Sequence, residues 1–244
     1  MLKLYIGNKN YSSWSMRPWV LLRQAGIPFE EVKIRFDSFD ADSEFRKKAG
    51  SVNPAGKVPV LDDNGLIVWD TLAISEYLAE RFPEKNLWPQ SVQARARARS
   101  VCAEMHSGFG ALRAACPMNI EADLTGTGQL IWRDKPAVRS DVARLIAMWR
   151  ELLAEPLDSR DATGPLQPDN ADAGGGFLFG SFGIADAFFA PVCMRLKNYS
   201  LPVPADITAY VQRVSALPGV QDWINGALAE NDFREFEELY RMKR

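Results

Sequence analysis

Six elements predicted within the first 82 residues constrain the fold more than any other feature of this sequence. A strand, helix, strand, helix, hairpin and helix in this order predict a small α/β domain with a mixed sheet. The strongest local signal is Asn64-Gly65, a typical hairpin turn between two apolar runs. The elements are a strand at 2–7, a helix near Ser15, a strand at 29–36, a helix at 42–49, a hairpin at 58–69 and a helix at 74–82.

The chain changes character after the sixth element and is predicted to be all-helical over 91–244. Residues 84–90 are interpreted as a linker, because a proline stands near each of its ends, so the first domain is predicted to span 1–83. A stretch rich in Asp, Gly and Pro at 158–176 is predicted to be an exposed loop. Helices of the second domain are predicted over 91–115, 138–153, 184–197, 205–215 and 218–229.

The composition narrows the classes of function. The net charge is −2, which argues against binding nucleic acid. A single histidine, His106, and three cysteines without a C-x-x-C pair argue against a metal site. The longest apolar run, 187–194, is far shorter than the ~18 residues of a membrane span, and the N-terminus lacks the apolar stretch of a secretory signal. We therefore expect a cytoplasmic protein that uses no metal and no membrane.

A run of hydroxyl groups at Tyr11-Ser12-Ser13-Trp14-Ser15 lies between the first strand and the first helix. One interpretation is a helix cap, since a serine hydroxyl accepts a hydrogen bond from an unpaired amide there. The other is that a hydroxyl at the positive end of the helix dipole donates a hydrogen bond to an anion such as a thiolate. A serine without a basic partner is a poor nucleophile, so the second role would be stabilisation of another group.

Two further segments carry groups that suit peptide binding. In Lys57-Val58-Pro59, a cis bond before the proline would turn the Val58 backbone outward, where it would pair with an extended peptide. The alternative is a purely structural proline, because at the start of a strand its missing amide does no harm. Asp70 or Thr71 is a good helix cap. Their carboxylate and hydroxyl would also fit the ammonium and carboxylate groups of an amino acid or peptide.

Taken in order, these segments resemble the glutathione transferase superfamily, and the resemblance covers nearly the whole chain. Residues 12–17 are similar to the signature of its serine-type classes, most of all zeta and tau. Residues 57–59 are similar to its cis-proline element, 70–71 to its γ-glutamyl site, and 179–186 followed by Pro191 to its helix-capping motif. The resemblance implies a thioredoxin-like N-terminal domain, an all-α C-terminal domain and a homodimer.

The resemblance also implies a reaction in which the thiolate of glutathione, the co-substrate, adds to a small hydrophobic electrophile. Ser12 is the first candidate for the hydrogen bond to the thiolate, Ser13 the second, and the phenol of Tyr11 a less favoured alternative. The predicted glutathione-binding residues are Lys57, Val58, Pro59, Asp70 and Thr71, and the predicted second-substrate pocket contains Met105, His106, Phe109 and Arg113.

Several positions depart from the family pattern. Asp70 and Thr71 stand where the family usually has Glu or Gln followed by Ser, although a carboxylate and a hydroxyl remain. Gly183 replaces a Ser or Thr, so Asp186 lacks its reciprocal capping partner. Residues 158–176 resemble an insertion relative to the family.

Two alternatives remain open from the sequence. One is a maleylacetoacetate-type cis–trans isomerase, which the zeta-like serines favour, although the zeta signature continues with Cys where Trp14 stands. The other is a glutathione-binding or regulatory module without turnover. His106 likewise has two interpretations, because a lone histidine on a helix is often only a surface residue or a satisfied core residue.

Overall fold

The computed structural model describes residues 1–155 and 176–243, so the predicted loop at 158–176 lies, apart from Gly176, outside the described residues. The N-terminal part contains a four-stranded mixed sheet with the strand order β2-β1-β3-β4. All six predicted elements of this part are confirmed. Their bounds are β1 Leu2–Ile6, α1 Ser13–Gln24, β2 Phe29–Lys33, α2 Glu44–Val52, β3 Val60–Asp63, β4 Leu66–Trp69 and α3 Thr71–Arg81.

The strand β1 forms a parallel pair on one side and an antiparallel pair on the other. β1 pairs in parallel with β2 and antiparallel with β3, where Leu4 lies opposite Leu61. The β3–β4 hairpin turns at Asn64 and Gly65, whose φ angles are +51° and +98°. Asn and Gly are the residues that tolerate this left-handed region best, so the turn predicted from the sequence is confirmed.

The alternation of side chains along β1 separates two apolar clusters. Leu2, Leu4 and Ile6 are buried in the main core together with residues of α1 and α3. Successive strand residues point to opposite faces. Tyr5 therefore faces the other side of the sheet, where it packs against a smaller cluster that includes Phe45 of α2. The sheet is thus covered by helices on both faces.

The rest of the described chain is helical, which confirms the predicted fold class of an α/β N-terminal part and an all-α C-terminal part. The helices are α4 Val92–Ser107, α5 Gly110–Ala115, α6 Thr125–Asp134, α7 Pro136–Ala154, α8 Ile184–Asn198, α9 Ala205–Ala216 and α10 Pro218–Glu230. α1 packs against both α8 and α10, so the helix that follows the serine run lies between the sheet and the other helices.

Two departures from the predicted helices have local causes. The single helix predicted over 91–115 is divided, because Phe109 adopts a φ of +55° between α4 and α5. The sequence did not predict α6, which contains Gly126 and Gly128. Gly128 is needed there because a Cβ would lie 1.7 Å from the carbonyl oxygen of Tyr199. The glycine therefore marks a close approach of two backbones rather than a loop.

The predicted linker at 84–90 is packed rather than free. Leu87 and Trp88 are both buried, and the carbonyl of Leu87 accepts a hydrogen bond from the backbone N–H of Ile184. The domain bounds inferred from the sequence stay a prediction. No helix among the described residues combines the length and the apolar character that crossing a membrane requires.

Candidate functional site

The hydroxyl of Ser12 is turned into the protein at the start of α1. Ser12 is the N-cap residue and only 6% exposed, and its Oγ donates to Ser15 Oγ over 2.8 Å. Ser15 Oγ in turn accepts from the backbone N–H of Gly7. Within the described part of the chain the Ser12 hydroxyl makes no capping bond to α1. The interpretation of Ser12 as a side-chain cap is therefore wrong.

Ser13, the first residue of α1, is placed differently. Both serines line the same cleft, but the Oγ of Ser13 accepts a hydrogen bond from Arg195 Nη2 over 3.2 Å. This bond uses a lone pair of the hydroxyl and leaves its proton available for donation. The N-terminus of α1 adds the positive end of a helix dipole at the same place. Ser13 therefore offers one hydroxyl proton and a favourable field to an anion in the cleft.

The cleft has a volume of about 460 Å³, which lies in the usual range of small-molecule sites. Val58, half-buried, forms part of its wall two residues before β3 begins, and the Val58–Pro59 bond is cis. Lys57 is exposed at the same wall, whereas Pro59 is buried behind it. The lining residues are Tyr11, Ser12, Ser13, Trp14, Phe36, Phe39, Phe45, Arg46, Lys57, Val58, Arg113, Pro117, Met118, Arg195 and Glu237.

The phenol of Tyr11 is engaged by the C-terminal segment, residues 231–243. Its hydroxyl donates to Glu238 over 2.7 Å and accepts from the backbone N–H of Arg234 over 3.1 Å. Burial raises the pKa of Tyr11 to about 12, and the hydrogen bond to Glu238 acts in the same direction. The structure therefore ties the phenol to the C-terminal segment and not to the start of α1.

Asp70 and Thr71 lie at the start of α3, outside the residues that line the cleft. One carboxylate oxygen of Asp70 caps the helix by accepting from the N–H of Leu72, so the cap interpretation is confirmed. The other oxygen lies 3.4 Å from His106 Nε2. Thr71 is buried, and its Oγ1 has no hydrogen-bond partner among the described residues. The capping bond leaves the second Asp70 oxygen for another cation.

The four residues predicted for the second-substrate pocket do not form one wall. Arg113 lines the cleft, and His106 packs edge-to-face on Trp14 with ring centroids 5.0 Å apart. Met105 and Phe109 are instead buried in the main core, and neither lines the cleft. The left-handed conformation of Phe109 separates α4 from α5, the helix that carries Arg113.

Three charged lining residues were not found from the sequence. Arg46 donates to the backbone carbonyls of Phe39 and Gly56. Arg195 had a usable signal, because it is a charge that directly follows the apolar run 187–194 within helix α8. Glu237 belongs to the C-terminal segment, and burial beside Glu238 raises its pKa to about 7. No local sequence pattern predicts that the C-terminal segment will line the cleft.

The described residues contain no group of three or more His, Cys, Asp and Glu side chains that could hold a metal ion. Apart from the carboxyl of Glu237, the polar side-chain groups of the cleft are hydroxyls, guanidiniums and an ammonium, which suit anions. The arrangement can therefore receive an acidic small molecule and stabilise a negative charge beside Ser13.

Two family models match this chain. The model of the glutathione S-transferase N-terminal domain matches residues 11–81, and that of the glutathione S-transferase C-terminal domain matches residues 93–226. The second match alone covers more than half of the chain. Together the two matches contain every lining residue of the cleft except Glu237.

Individual proteins support the same relationship. The chain is 32% identical over 133 residues to "Glutathione S-transferase 1" of Dianthus caryophyllus and 30% identical over 132 residues to "Maleylacetoacetate isomerase" of Rattus norvegicus. Each alignment covers 54% of this chain and 58% of the relative, so the chain spans little more than half of those proteins. A glutathione transferase homolog from Burkholderia, solved with bound glutathione, matches 95% of this chain and 99% of its own with a TM-score of 0.64 and 23% identity.

Proposed function

Because the chain belongs to the glutathione S-transferase family, we propose that it binds glutathione in the cleft at the start of α1 and adds the thiolate to a small electrophile. The observation that carries this proposal is the Ser13 hydroxyl, which accepts from Arg195 and lies in the same cleft as the backbone of Val58. Bound glutathione in the Burkholderia structure supports the choice of co-substrate.

The chemical task is to form a thiolate at neutral pH. A free thiol has a pKa of about 8.5, so only a few per cent is ionised at pH 7. A hydrogen bond to the charged form contributes roughly 1.5–3 kcal/mol, and the helix dipole up to about 1 kcal/mol. Together these lower the thiol pKa by about two units. We assign the hydrogen bond to Ser13, since the proton of Ser12 is directed to Ser15.

The remaining groups of the site bind the tripeptide. The Val58 amide and carbonyl lie beyond the end of the β1–β3 ladder, and we expect them to pair with the cysteinyl backbone as an added strand. Lys57 attracts the glycyl carboxylate. Asp70 attracts the γ-glutamyl ammonium, and Thr71 with the first amides of α3 binds its carboxylate. These roles follow the family's motifs at the matching positions of this chain.

Glutathione is expected to stabilise the protein against heat. A ligand at about 100 times its dissociation constant adds about 2.7 kcal/mol to the native state, which corresponds to roughly 5–10 °C for a chain of this size. The measurement is a thermal melt with millimolar glutathione. Cysteinylglycine, which lacks the γ-glutamyl group, should shift the melting temperature much less. An unchanged melting temperature with glutathione contradicts the proposed site.

Asp70→Asn is expected to raise the KM for glutathione by about ten- to a hundredfold, because a charge-assisted hydrogen bond contributes roughly 1.5–3 kcal/mol. The kcat should change little, since this contact is equal in the ground and transition states. The asparagine keeps an oxygen for the N–H of Leu72, so the helix cap is retained. A normal KM in Asp70→Asn together with a destabilised Asp70→Ala would show that Asp70 is only a cap.

A second candidate function is a glutathione-dependent cis–trans isomerase. The match to the rat maleylacetoacetate isomerase favours it, at 30% identity over 132 residues. In that reaction the thiolate adds and leaves again, so glutathione is regenerated. Counting free thiol during turnover therefore separates the two reactions, because a transferase consumes one thiol per product and an isomerase consumes none. Glutathione binding with no turnover of either kind would indicate a non-catalytic module.

We also propose that the protein acts as a cytoplasmic homodimer, as is typical of the family. Leu66 and Trp69 of the edge strand β4 are apolar side chains that are 53% and 43% exposed. This strand is therefore a suitable part of a subunit interface. The oligomeric state in solution tests that proposal.

A further inference from the structure

Three arginines from three different helices meet around Trp14 and Ser13. The guanidinium carbon of Arg17 lies 4.2 Å from the ring centroid of Trp14, and that of Arg113 lies 4.9 Å from it. Arg195 donates to Ser13. Arg113 and Arg195 line the cleft, whereas Arg17 is buried behind it. We call these three residues the arginine cluster.

No carboxylate within residues 1–155 and 176–243 forms an ion pair with the arginine cluster, although Asp70 raises the pKa of Arg17 from a distance. Arg113 and Arg195 donate to backbone carbonyls and to Ser13, and Nε and Nη1 of Arg17 have no hydrogen-bond partner there. Burial and the charges of the other two arginines lower the pKa of Arg17 to about 9. Burial and Arg113 lower that of Arg195 to about 10. All three therefore remain charged at neutral pH.

Other arginines of this chain are paired in a different way. On the outer faces of the helices, each of several guanidiniums contacts a carboxylate directly. Examples are Arg99 with Glu76 at 2.7 Å, Arg144 with Glu104 at 2.6 Å and Arg150 with Asp206 at 2.6 Å. A buried charge without a counterion is costly, so a cluster of three beside a cleft indicates that its counterions arrive with the ligands.

The thiolate of glutathione supplies only one negative charge beside this cluster. Arg113 uses Nη1 for the carbonyls of His106 and Gly108, which leaves its Nε–Nη2 edge without a partner among the described residues. That edge is the one that binds a carboxylate with two parallel hydrogen bonds. Glu237, the acidic residue of the cleft lining, has its pKa raised to about 7 by burial and by Glu238, so it is partly neutral at neutral pH.

We propose that the second substrate carries a carboxylate and that Arg113 receives it, with Arg195 and Arg17 supplying the surrounding positive potential. This inference rests on the proposed function and specifies the electrophile as an acid instead of a purely hydrophobic molecule. Arg113 is then a specificity-determining residue, and the cleft accepts two negative charges, the thiolate and the carboxylate. A purely apolar electrophile would leave part of the cluster without a counterion.

The experiment compares two ligands that differ in this charge and in the methyl group that masks it. They are S-(4-carboxy-2,6-dinitrophenyl)glutathione and its methyl ester, and their dissociation constants are measured by calorimetry with the full chain. The wild type should bind the acid about tenfold or more tightly than the ester. Arg113→Met should reduce this preference to about twofold or less and leave ester binding nearly unchanged. Arg113→Lys should retain an intermediate preference.

Matched variants test whether the effect belongs to Arg113. Arg144→Met removes a paired arginine outside the cleft and should leave both dissociation constants unchanged. Lys57→Met removes a cation that we assign to the tripeptide and should weaken both conjugates alike. Equal binding of acid and ester by the wild type would overturn the inference, as would an equal loss of both in Arg113→Met.

The same data separate this inference from the proposed function. If glutathione raises the melting temperature but the acid binds no better than the ester, the carboxylate assignment is wrong and the glutathione site stands. If neither conjugate binds and glutathione gives no thermal shift, the proposed function itself fails. If Arg113→Met raises the pKa of the bound thiol without changing the preference for the acid, the cluster serves the thiolate and the inference is overturned.

Discussion

Asp186→Ala is expected to lower the free energy of unfolding by about 3–5 kcal/mol. The Asp186 side chain is buried at the start of α8. It accepts from the N–H groups of Leu178 and Gly183, each at 3.1 Å, and from the hydroxyl of Tyr210 at 2.9 Å. The alanine would leave three buried donors without an acceptor. Chemical denaturation measures the difference.

Asp206 is a matched control for the stability contribution of an exposed aspartate at the start of a helix. Asp206 lies in the first turn of α9 and pairs with Arg150 on the surface. Asp206→Ala should therefore cost less than about 1 kcal/mol. A loss for Asp186→Ala as small as that for Asp206→Ala would contradict the role assigned to the buried carboxyl.

The shifted pKa of Asp186 makes the stability of the protein depend on pH. Burial raises this pKa from its ordinary value of 3.8 to about 6, against the opposing effect of the three hydrogen bonds. The native state therefore holds this proton more tightly than the unfolded chain does. The contribution of Asp186 to stability should fall as the pH rises from about 4 to 6 and stay constant above that. In Asp186→Asn this slope should be absent.

Much of the N-terminal part was predictable because its signals are local. The Asn64-Gly65 turn fixes the hairpin through backbone conformations that few residues adopt, and the alternation in β1 assigns Leu4 and Tyr5 to opposite faces. Lys57 and Val58 line the cleft just before β3, while their role in binding glutathione stays a prediction.

The rest depended on contacts between distant segments. In the sequence, Gly128 indicates a break in a helix. Its actual role is to allow the close approach of the Tyr199 carbonyl, which belongs to a distant part of the chain. The helical spacing of Met105 and Phe109 is the same for a core face and for a pocket wall, and only packing decides between them. The engagement of Tyr11 by the C-terminal segment joins residues more than 220 positions apart. No pattern within a sequence window carries such information.

The roles of Ser12 and Ser13 also depend on contacts that the sequence does not reveal. The sequence places Ser12 and Ser13 equally close to the helix start, and the family resemblance favours the first of them. The hydrogen bonds differ, because the Ser12 proton goes to Ser15 while Ser13 accepts from Arg195. The choice between the two hydroxyls therefore depends on Arg195, which lies 182 residues further along the chain than Ser13.

Ser13→Ala is expected to raise the pKa of bound glutathione by about one to two units, because the thiolate would lose roughly 1.5–3 kcal/mol of hydrogen bonding. Turnover at pH 6.5 should fall about ten- to a hundredfold and recover partly at higher pH, where the thiol ionises unaided. The affinity for glutathione should change less, since the groups that bind the tripeptide ends are intact. The thiolate absorbance of bound glutathione, titrated against pH, measures the effect directly.

Ser12→Ala is the matched control for that titration, since it removes a neighbouring hydroxyl whose proton bonds to Ser15 inside the protein. It should cost about 1 kcal/mol of stability and leave the titration curve in place. A curve shifted in Ser12→Ala alone would return the role to the residue that the sequence favoured. Unshifted curves in both variants would assign the thiolate to the backbone amides of α1 or to Arg195, and the serine mechanism would be wrong.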